Sequence, residues 1–184
     1  MPHWCENYLR VTGEKEELQK FKEFAVEKEE VLSANKFIPY PEEFNVLDKK
    51  IILQGEKRNK LIEDLKKKGT PEAKAREESY AKYPSIKDGY NSGGYDWCIK
   101  NWGTKWGFCR SELVKEYEDE LLYRFETAWS PPLPLIKAMG EMFTELEFDL
   151  RYFECGMGFN GMYTVKNGEV LFDKSGNYFG ERGG

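Results

Sequence analysis

The chain has a single histidine, His3, and its four cysteines, Cys5, Cys98, Cys109 and Cys155, include no CxxC pair. Those two shortages exclude the usual structural zinc arrangements, which need closely grouped thiolate and imidazole ligands. They also leave a nucleophilic site only one imidazole, placed beside Trp4 with no Ser, Cys or Asp partner at a recognised spacing. No run of about 18 apolar residues occurs, and no basic segment leads into an apolar one, so neither a membrane span nor a secretory signal is expected. The expectation is a soluble, intracellular protein without metal or cofactor. Its cysteines then stay reduced and pack as small hydrophobes.

Positive charge is outnumbered, 28 Lys and Arg against 33 Asp and Glu. A net charge of −5 argues against a general nucleic-acid coat protein, whose affinity comes largely from neutralising phosphates with Lys and Arg. The balance is uneven along the chain, however. Residues 45–88 hold 12 Lys or Arg against 8 Asp or Glu, a local charge of +4, which leaves −9 on the remainder. What the sequence has in abundance is aromatic residues, 15% of the total, alongside 33% charged residues, a composition that supports a core inside a solvated shell. At 184 residues one domain with an elaboration is expected, spanning 1–184, with 45–88 a lysine-rich helical insertion.

The densest stretch is Gly89 to Arg110, which packs three of the five tryptophans, two tyrosines and two of the four cysteines into 22 residues. Its glycine-rich front predicts a loop, its middle a short helix, and the part from Thr104 onward a strand. Before it, residues 3–11 alternate as a strand with Cys5, Asn7, Leu9 and Val11 on one face. A helix follows from Glu14 to about Glu30, with Leu18, Phe21, Phe24 and Ala25 as its apolar stripe. Residues 36–41 read as a second strand or a fixed turn, because two prolines suit an edge or an exit.

In the insertion, one helix ends at Lys66, Lys67, Lys68 and Gly69, joining C-terminal positive charge to a glycine cap. Thr70-Pro71 predicts the N-cap and first residue of a second helix, running to about Lys82 and burying Ala73, Tyr80 and Ala81. After the aromatic stretch, Ser111 to Asp119 is polar and reads as a helical or looped connection. Residues 121–129 alternate as a half-buried strand, a helix carries Leu135, Ile136, Met139, Met142 and Phe143, and a second strand turns Leu146, Phe148, Leu150 and Tyr152 inward. The Asn167-Gly168 pair predicts a hairpin between 159–165 and 169–173, and the glycine-rich tail from Lys174 is expected to fray. Helices interrupting an antiparallel sheet with one apolar face give an α+β fold, best matched by a ferredoxin-like sheet with helices on one face.

Three segments carry a family likeness: Pro2-His3-Trp4-Cys5-Glu6-Asn7, Gly94-Tyr95-Asp96-Trp97-Cys98 with Asn101-Trp102-Gly103-Thr104-Lys105-Trp106, and Thr127-Ala128-Trp129-Ser130-Pro131-Pro132. They resemble the YubB-like (Api-type) proteins of phages and plasmids. The resemblance implies a ferredoxin-like domain, a mobile-element origin and a place in the cytoplasm of a bacterial host, and it implies no chemistry. Gly107-Phe108-Cys109-Arg110 departs from the more acidic continuation of that pattern. Accessory proteins of this kind often act on host machinery, so a counter-defence role such as inhibiting a CRISPR effector follows as an analogy.

Among the residues, Trp97, Trp102 and Trp106 are expected to be core rather than base-stacking platforms. The binding candidates are Tyr90, Tyr95, Lys100, Lys105 and Arg110 in the aromatic stretch and Lys66, Lys67 and Lys68 in the insertion. No catalytic residue is assigned. Gly156 to Gly161 has GxGxxG spacing but is followed by a strand, so it reads as a turn and not a dinucleotide loop. Glu126, Glu147, Asp149, Arg124 and Arg151 on outward strand faces predict cross-strand ion pairs rather than an acid-base pair. The expected partner is a host protein or ribonucleoprotein, held without a reaction. An RNA-cleaving activity using Asp96, Lys100 or Lys105 is the enzymatic alternative, and a scaffold in phage or plasmid maintenance is the third.

Overall fold

The structure, a computed structural model, describes residues 3–86 and 94–180. In chain order its elements are β1 (Trp4–Thr12), α1 (Lys15–Ala25), α2 (Ala34–Phe37), α3 (Glu42–Lys67), α4 (Glu72–Lys82), α5 (Gly94–Trp102), β2 (Cys109–Glu116), β3 (Glu120–Ala128), α6 (Leu133–Met142), β4 (Glu147–Glu154), β5 (Phe159–Lys166) and β6 (Glu169–Asn177). Two compact units emerge: Met1–Pro39 with Cys98–Gly184, the sheet unit, and Tyr40–Trp97, the helical unit.

The sheet runs in the order β2-β3-β1-β4-β5-β6 with every neighbouring pair antiparallel. Its β2-β3-β1-β4 portion, with α1 after β1 and α6 between β3 and β4, is the ferredoxin-like arrangement, and the β5–β6 hairpin extends it beyond β4. Period-two alternation places Cys5, Leu9 and Val11 of β1, Leu121, Tyr123 and Phe125 of β3, and Phe148 and Leu150 of β4 on one buried face. Phe21 of α1 sits over that face, fully buried, with ring centroids 5.8 Å from Phe37, 6.0 Å from Tyr123, 5.2 Å from Phe143 and 5.4 Å from Phe148. The other helix comes close because Gly140 has no side chain: a Cβ there would lie 2.4 Å from Cγ1 of Val165. The one amide on the buried face of β1 is fully used, since Asn7 Nδ2 donates to the Cys5 carbonyl at 2.8 Å and to Thr127 Oγ1 at 2.9 Å. Asn167 and Gly168 both take positive φ, 50° and 72°, as a two-residue type I′ hairpin requires.

Five local expectations change in the sheet unit. The first helix stops at Ala25, because beyond it Glu27, Glu29 and Glu30 offer nothing to bury at helical spacing. A tight turn with Lys28 at φ 56° instead returns Leu32 to the core, fully buried. Residues 36–41, read as a strand or a fixed turn, form no strand: a helical turn over Ala34–Phe37 runs into them and puts Ala34 and Phe37, three apart, on the same buried side. The segment after Thr104 does not become a strand until Cys109, and Ser111 to Glu116 is strand rather than connection. Its polar composition suits an edge: Glu112 faces Arg124 across β3, and Glu116 binds Lys22 of α1 at 2.7 Å. Finally, β6 continues through Asn177, and Tyr178 N–H donates to the Gly158 carbonyl at 2.8 Å, so the start of the tail is held.

The helical unit is a hairpin of α3 and α4. α3 ends in a paired closure in which Thr70 N–H donates to the Leu65 carbonyl and Gly69 N–H to that of Lys66, both at 3.0 Å, with Gly69 at φ 86°. That closure is why Thr70 is not the cap of α4. The cap position is Pro71, whose carbonyl accepts from Ala75 N–H at 2.9 Å. The buried side of α4 is Ala75 and Ser79, one turn apart, and not Ala73, Tyr80 and Ala81. Tyr80 stays half exposed beneath the Arg58 guanidinium, 4.7 Å from its ring centroid.

The cysteines follow the sequence expectation of free thiols in part. Cys5 and Cys98 are buried, Cys109 is half-buried and Cys155 is exposed, none in a disulfide. Burial pushes the Cys5 thiol up to about 12, which keeps it un-ionised at neutral pH. In the native protein at mildly alkaline pH, an aromatic disulfide reagent is expected to titrate Cys155 rapidly and Cys109 slowly, with Cys5 reacting only after denaturant is added. Fast reaction of Cys5 contradicts its packing. The same burial sets a sign for alkaline stability. The folded thiol ionises above the ordinary value of about 9, so stability is intact below that pH and falls as pH climbs toward 12. Tyr123, Tyr152 and Tyr163, all raised by burial, act in the same direction.

Candidate functional site

Opposite the helices of the sheet unit lies the second face of its sheet. Alternation assigns this face Trp4, Glu6, Tyr8 and Arg10 from β1, Arg124 and Glu126 from β3, and Arg151 and Phe153 from β4. Most of its charges neutralise one another across strands. Arg10 binds Asp149 at 2.8 Å, with Glu120 4.0 Å away. Arg124 reaches Glu6 at 3.0 Å and Glu112 at 3.2 Å, and Tyr8 Oη donates to Glu6 at 2.7 Å. Hydrogen bonds donated to their carboxylate partners hold both guanidiniums above the ordinary arginine value, so they remain charged. The predicted cross-strand pairing of these residues therefore holds for Arg124, Glu126 and Asp149, and Glu147 lies 4.0 Å from Lys166. Arg151 is the exception.

At one end of this face is a cluster of tryptophans and cations. Lys105 Nζ lies 4.3 Å from the ring centroid of Trp106 and 4.9 Å from that of Trp129. Trp4 and Trp106 approach to 6.0 Å, and the Arg110 guanidinium lies 5.1 Å over Trp4 while pairing with Glu126. Trp129 adopts φ 68°, a left-handed conformation that bulky side chains rarely take, and its N–H donates to the His3 carbonyl at 3.0 Å. The local sequence explains the turn: Thr127 Oγ1 donates to the Ser130 carbonyl at 2.7 Å and Ser130 Oγ to that of Gly103 at 2.7 Å, pinning the corner before Pro131 and Pro132.

Across β4, β5 and β6 the same face sinks into a groove of about 590 Å³. Phe153, Met162, Phe172 and Phe179 supply its apolar surface, and Arg151 and Lys174 its charge. No described acidic side chain lines it. Phe179 is placed by its N–H, which donates to Asn160 Oδ1 at 3.1 Å, and its ring remains 70% exposed.

The residues singled out from sequence are distributed between the units. Tyr90 lies outside the described residues. Lys66, Lys67 and Lys68 end α3 in the helical unit, where Lys66 binds Glu72 at 3.1 Å. Tyr95, half-buried, and the exposed Asp96 open α5 in that same unit. Lys100, Lys105 and Arg110 belong to the sheet unit. Lys100 is exposed, whereas Lys105 is only 5% exposed, and burial lowers its pKa below the ordinary lysine value. Its packing between two indoles makes it a clamp on the Trp129 corner. Of the tryptophans, Trp102 is core as expected, with Nε1 donating to the Ile38 carbonyl at 2.8 Å. Trp97 is half-buried against Tyr40 at 5.5 Å, and Trp106 keeps 38% of its surface exposed. The groove leaves little trace in the sequence. The available signal was Phe172 and Lys174, two apart on one face of a strand whose second half reads as a fraying tail.

Comparison with known proteins agrees with this architecture. Residues 101–181 match the family model described as the ferredoxin-like domain in Api92-like protein. The crystal structure of a protein api92 from Yersinia pseudotuberculosis superposes with a TM-score of 0.54 at 12% identity, covering 99% of this chain and 100% of that one, a likeness of fold. No curated protein matches the chain. The matched segment holds β2 through β6 but not β1, the strand that fills the gap between β3 and β4, so residues 4–12 complete the domain from outside it.

Proposed function

We propose, from an Api92-like ferredoxin-like domain at residues 101–181 as premise, that this chain is an accessory protein of a phage or plasmid that acts by binding a host ribonucleoprotein. The action is steric: a bound domain obstructs a nuclease complex without a reaction of its own, which is a counter-defence role. The observation that supports this reading is the open sheet face. Its interstrand ion pairs, Arg10 with Asp149 and Arg124 with Glu6, hold the surface in one arrangement, and preorganisation of that kind lowers the cost of association.

The test is reconstitution. The tagged chain is used to capture complexes from a bacterial host lysate, the bound protein and RNA are identified, and the purified complex is assayed for nuclease activity with increasing amounts of the chain. The expected result is stable capture with nuclease activity falling in step with occupancy. A complex that cuts its target equally well when saturated with the chain overturns the proposal. So does cleavage of labelled RNA by the chain alone, which establishes the enzymatic alternative.

A further inference from the structure

We infer that the groove across β4, β5 and β6 holds a short segment of single-stranded RNA, its bases against Phe153, Phe172 and Phe179 and its phosphates on Arg151 and Lys174. The inference rests on the reading of the partner as a ribonucleoprotein and names the part of that partner which this face grips.

Charge distribution singles out the groove. Arg10, Arg110 and Arg124 elsewhere on the face are each bound to a carboxylate, which removes them from competition for phosphate. The side chains of Arg151 and Lys174 make no ion pair or hydrogen bond to any described residue, and no described Asp or Glu lines the groove with them. In a chain of net charge −5, two cations without an ion-pair partner in one concavity make a local anion site, even with Asp149 and Glu120 bordering Arg151 in the adjoining hollow.

Aromatic surface in the same place specifies what accompanies the anion. Phe172 is 43% exposed and Phe179 is 70% exposed, while Phe153 is half-buried, with its ring edge-on to Tyr8 at 6.5 Å. A compact anion such as free phosphate has no use for three phenyl rings and Met162. A nucleotide strand uses both, because every base offers a flat face for stacking and every linkage carries a charge. The strands permit close approach: a Cβ added at Gly176 or at Gly180 would meet nothing within 4 Å, so the groove is open to a flat ligand there. A volume of about 590 Å³ falls within the range of small-ligand sites, enough for a few nucleotides and no more.

The measurement is fluorescence anisotropy of labelled oligouridylate with the full chain, set beside the matching oligothymidylate and a salt titration. Binding of the RNA is expected with a log–log salt slope of about −1.4, the value for two phosphates neutralised on a single strand. Charge reversal in R151E/K174E is expected to lower affinity at least about ten-fold and flatten that slope, and F172A/F179A to lower affinity by about ten-fold or more with the slope kept. All four side chains are exposed, so the variants are expected to melt with the parent protein, and a coincident thermal transition checks that they fold. Equal affinity for oligothymidylate overturns the assignment to RNA. Absence of RNA binding by the folded parent, or binding unmoved in both double variants, overturns the site. If the host complex is still captured in that event, the groove assignment falls while the ribonucleoprotein reading stands. If RNA binds the groove but no complex is captured, the reverse holds.

Discussion

Phe21→Ala is expected to destabilise the protein by about 3–5 kcal/mol, the range for truncating a fully buried Phe that the surroundings cannot refill. The surroundings here are stiff. Phe21 is 0% exposed and its ring is met edge-on by Tyr123, Phe143 and Phe148, while Phe37 stacks on it at 5.8 Å. Two of those rings, Tyr123 and Phe148, stand on strands held in register by β1, so they cannot collapse into the space without breaking ladder hydrogen bonds. Phe21→Leu keeps most of the volume and is expected to cost less than half as much. Urea unfolding followed by tryptophan fluorescence reads both, with the midpoint moving and the slope unchanged. A Phe21→Ala midpoint within error of the parent removes Phe21 from the centre of the core.

Gly103→Ala is expected to cost about 2–5 kcal/mol although it adds one methyl group. Gly103 has φ 77°, where a Cβ costs about 1–2 kcal/mol by itself. The methyl then arrives 2.6 Å from Cδ of Pro134 and 3.2 Å from the Pro131 carbonyl oxygen, and overpacking of that kind costs about 1–3 kcal/mol more. Neither neighbour yields easily, since one is a proline ring and the other backbone. The contrast is Gly55→Ala in the middle of α3, where a Cβ meets nothing within 4 Å and the substitution is expected to stabilise the helix by about 0.5–1 kcal/mol. Thermal melts of the two variants beside the parent make the comparison. A Gly103→Ala protein as stable as the parent shows that the corner at Trp129 relaxes freely.

Elements with a strong period declared themselves in the sequence. The alternation around Leu9, Tyr123 and Leu150 and the Asn167-Gly168 turn fix most of the sheet from local signals, because burial and turn chemistry agree there. Ser111 to Glu116 was opaque for the opposite reason. It is a strand because β3 presents an edge and Arg124 a charge, and both facts lie outside the segment. Of the two readings of residues 36–41, the strand fails because the prolines at 39 and 41 mark the exit from a helical turn and not a strand edge. The candidate site was less legible than the fold. Lys105 reads as a surface cation in sequence, and only the folding back of Trp106 and Trp129 on either side makes it a buried one. Arg151 and Lys174 are ordinary strand cations until the pairing of Arg10, Arg110 and Arg124 on their face sets them apart.

The strand order also dictates a sequence of events during synthesis. β1 leaves the ribosome before every other described element, yet its ladders are closed by strands made much later: Asn7 meets Thr127 at a separation of 120 residues, and Arg10 meets Asp149 at 139. The helical unit emerges in between, and its α3–α4 hairpin is local in sequence, so it is placed to fold before β1 has its partner strands. Lengthening the chain between β1 and its partners adds little to the equilibrium cost, about 0.6 kcal/mol for each doubling of the loop, but it lengthens the wait. Nascent chains stalled before β3 are therefore expected to carry a helical hairpin and an unpaired β1, and β1 gains its second neighbour only when residues 147–154 arrive.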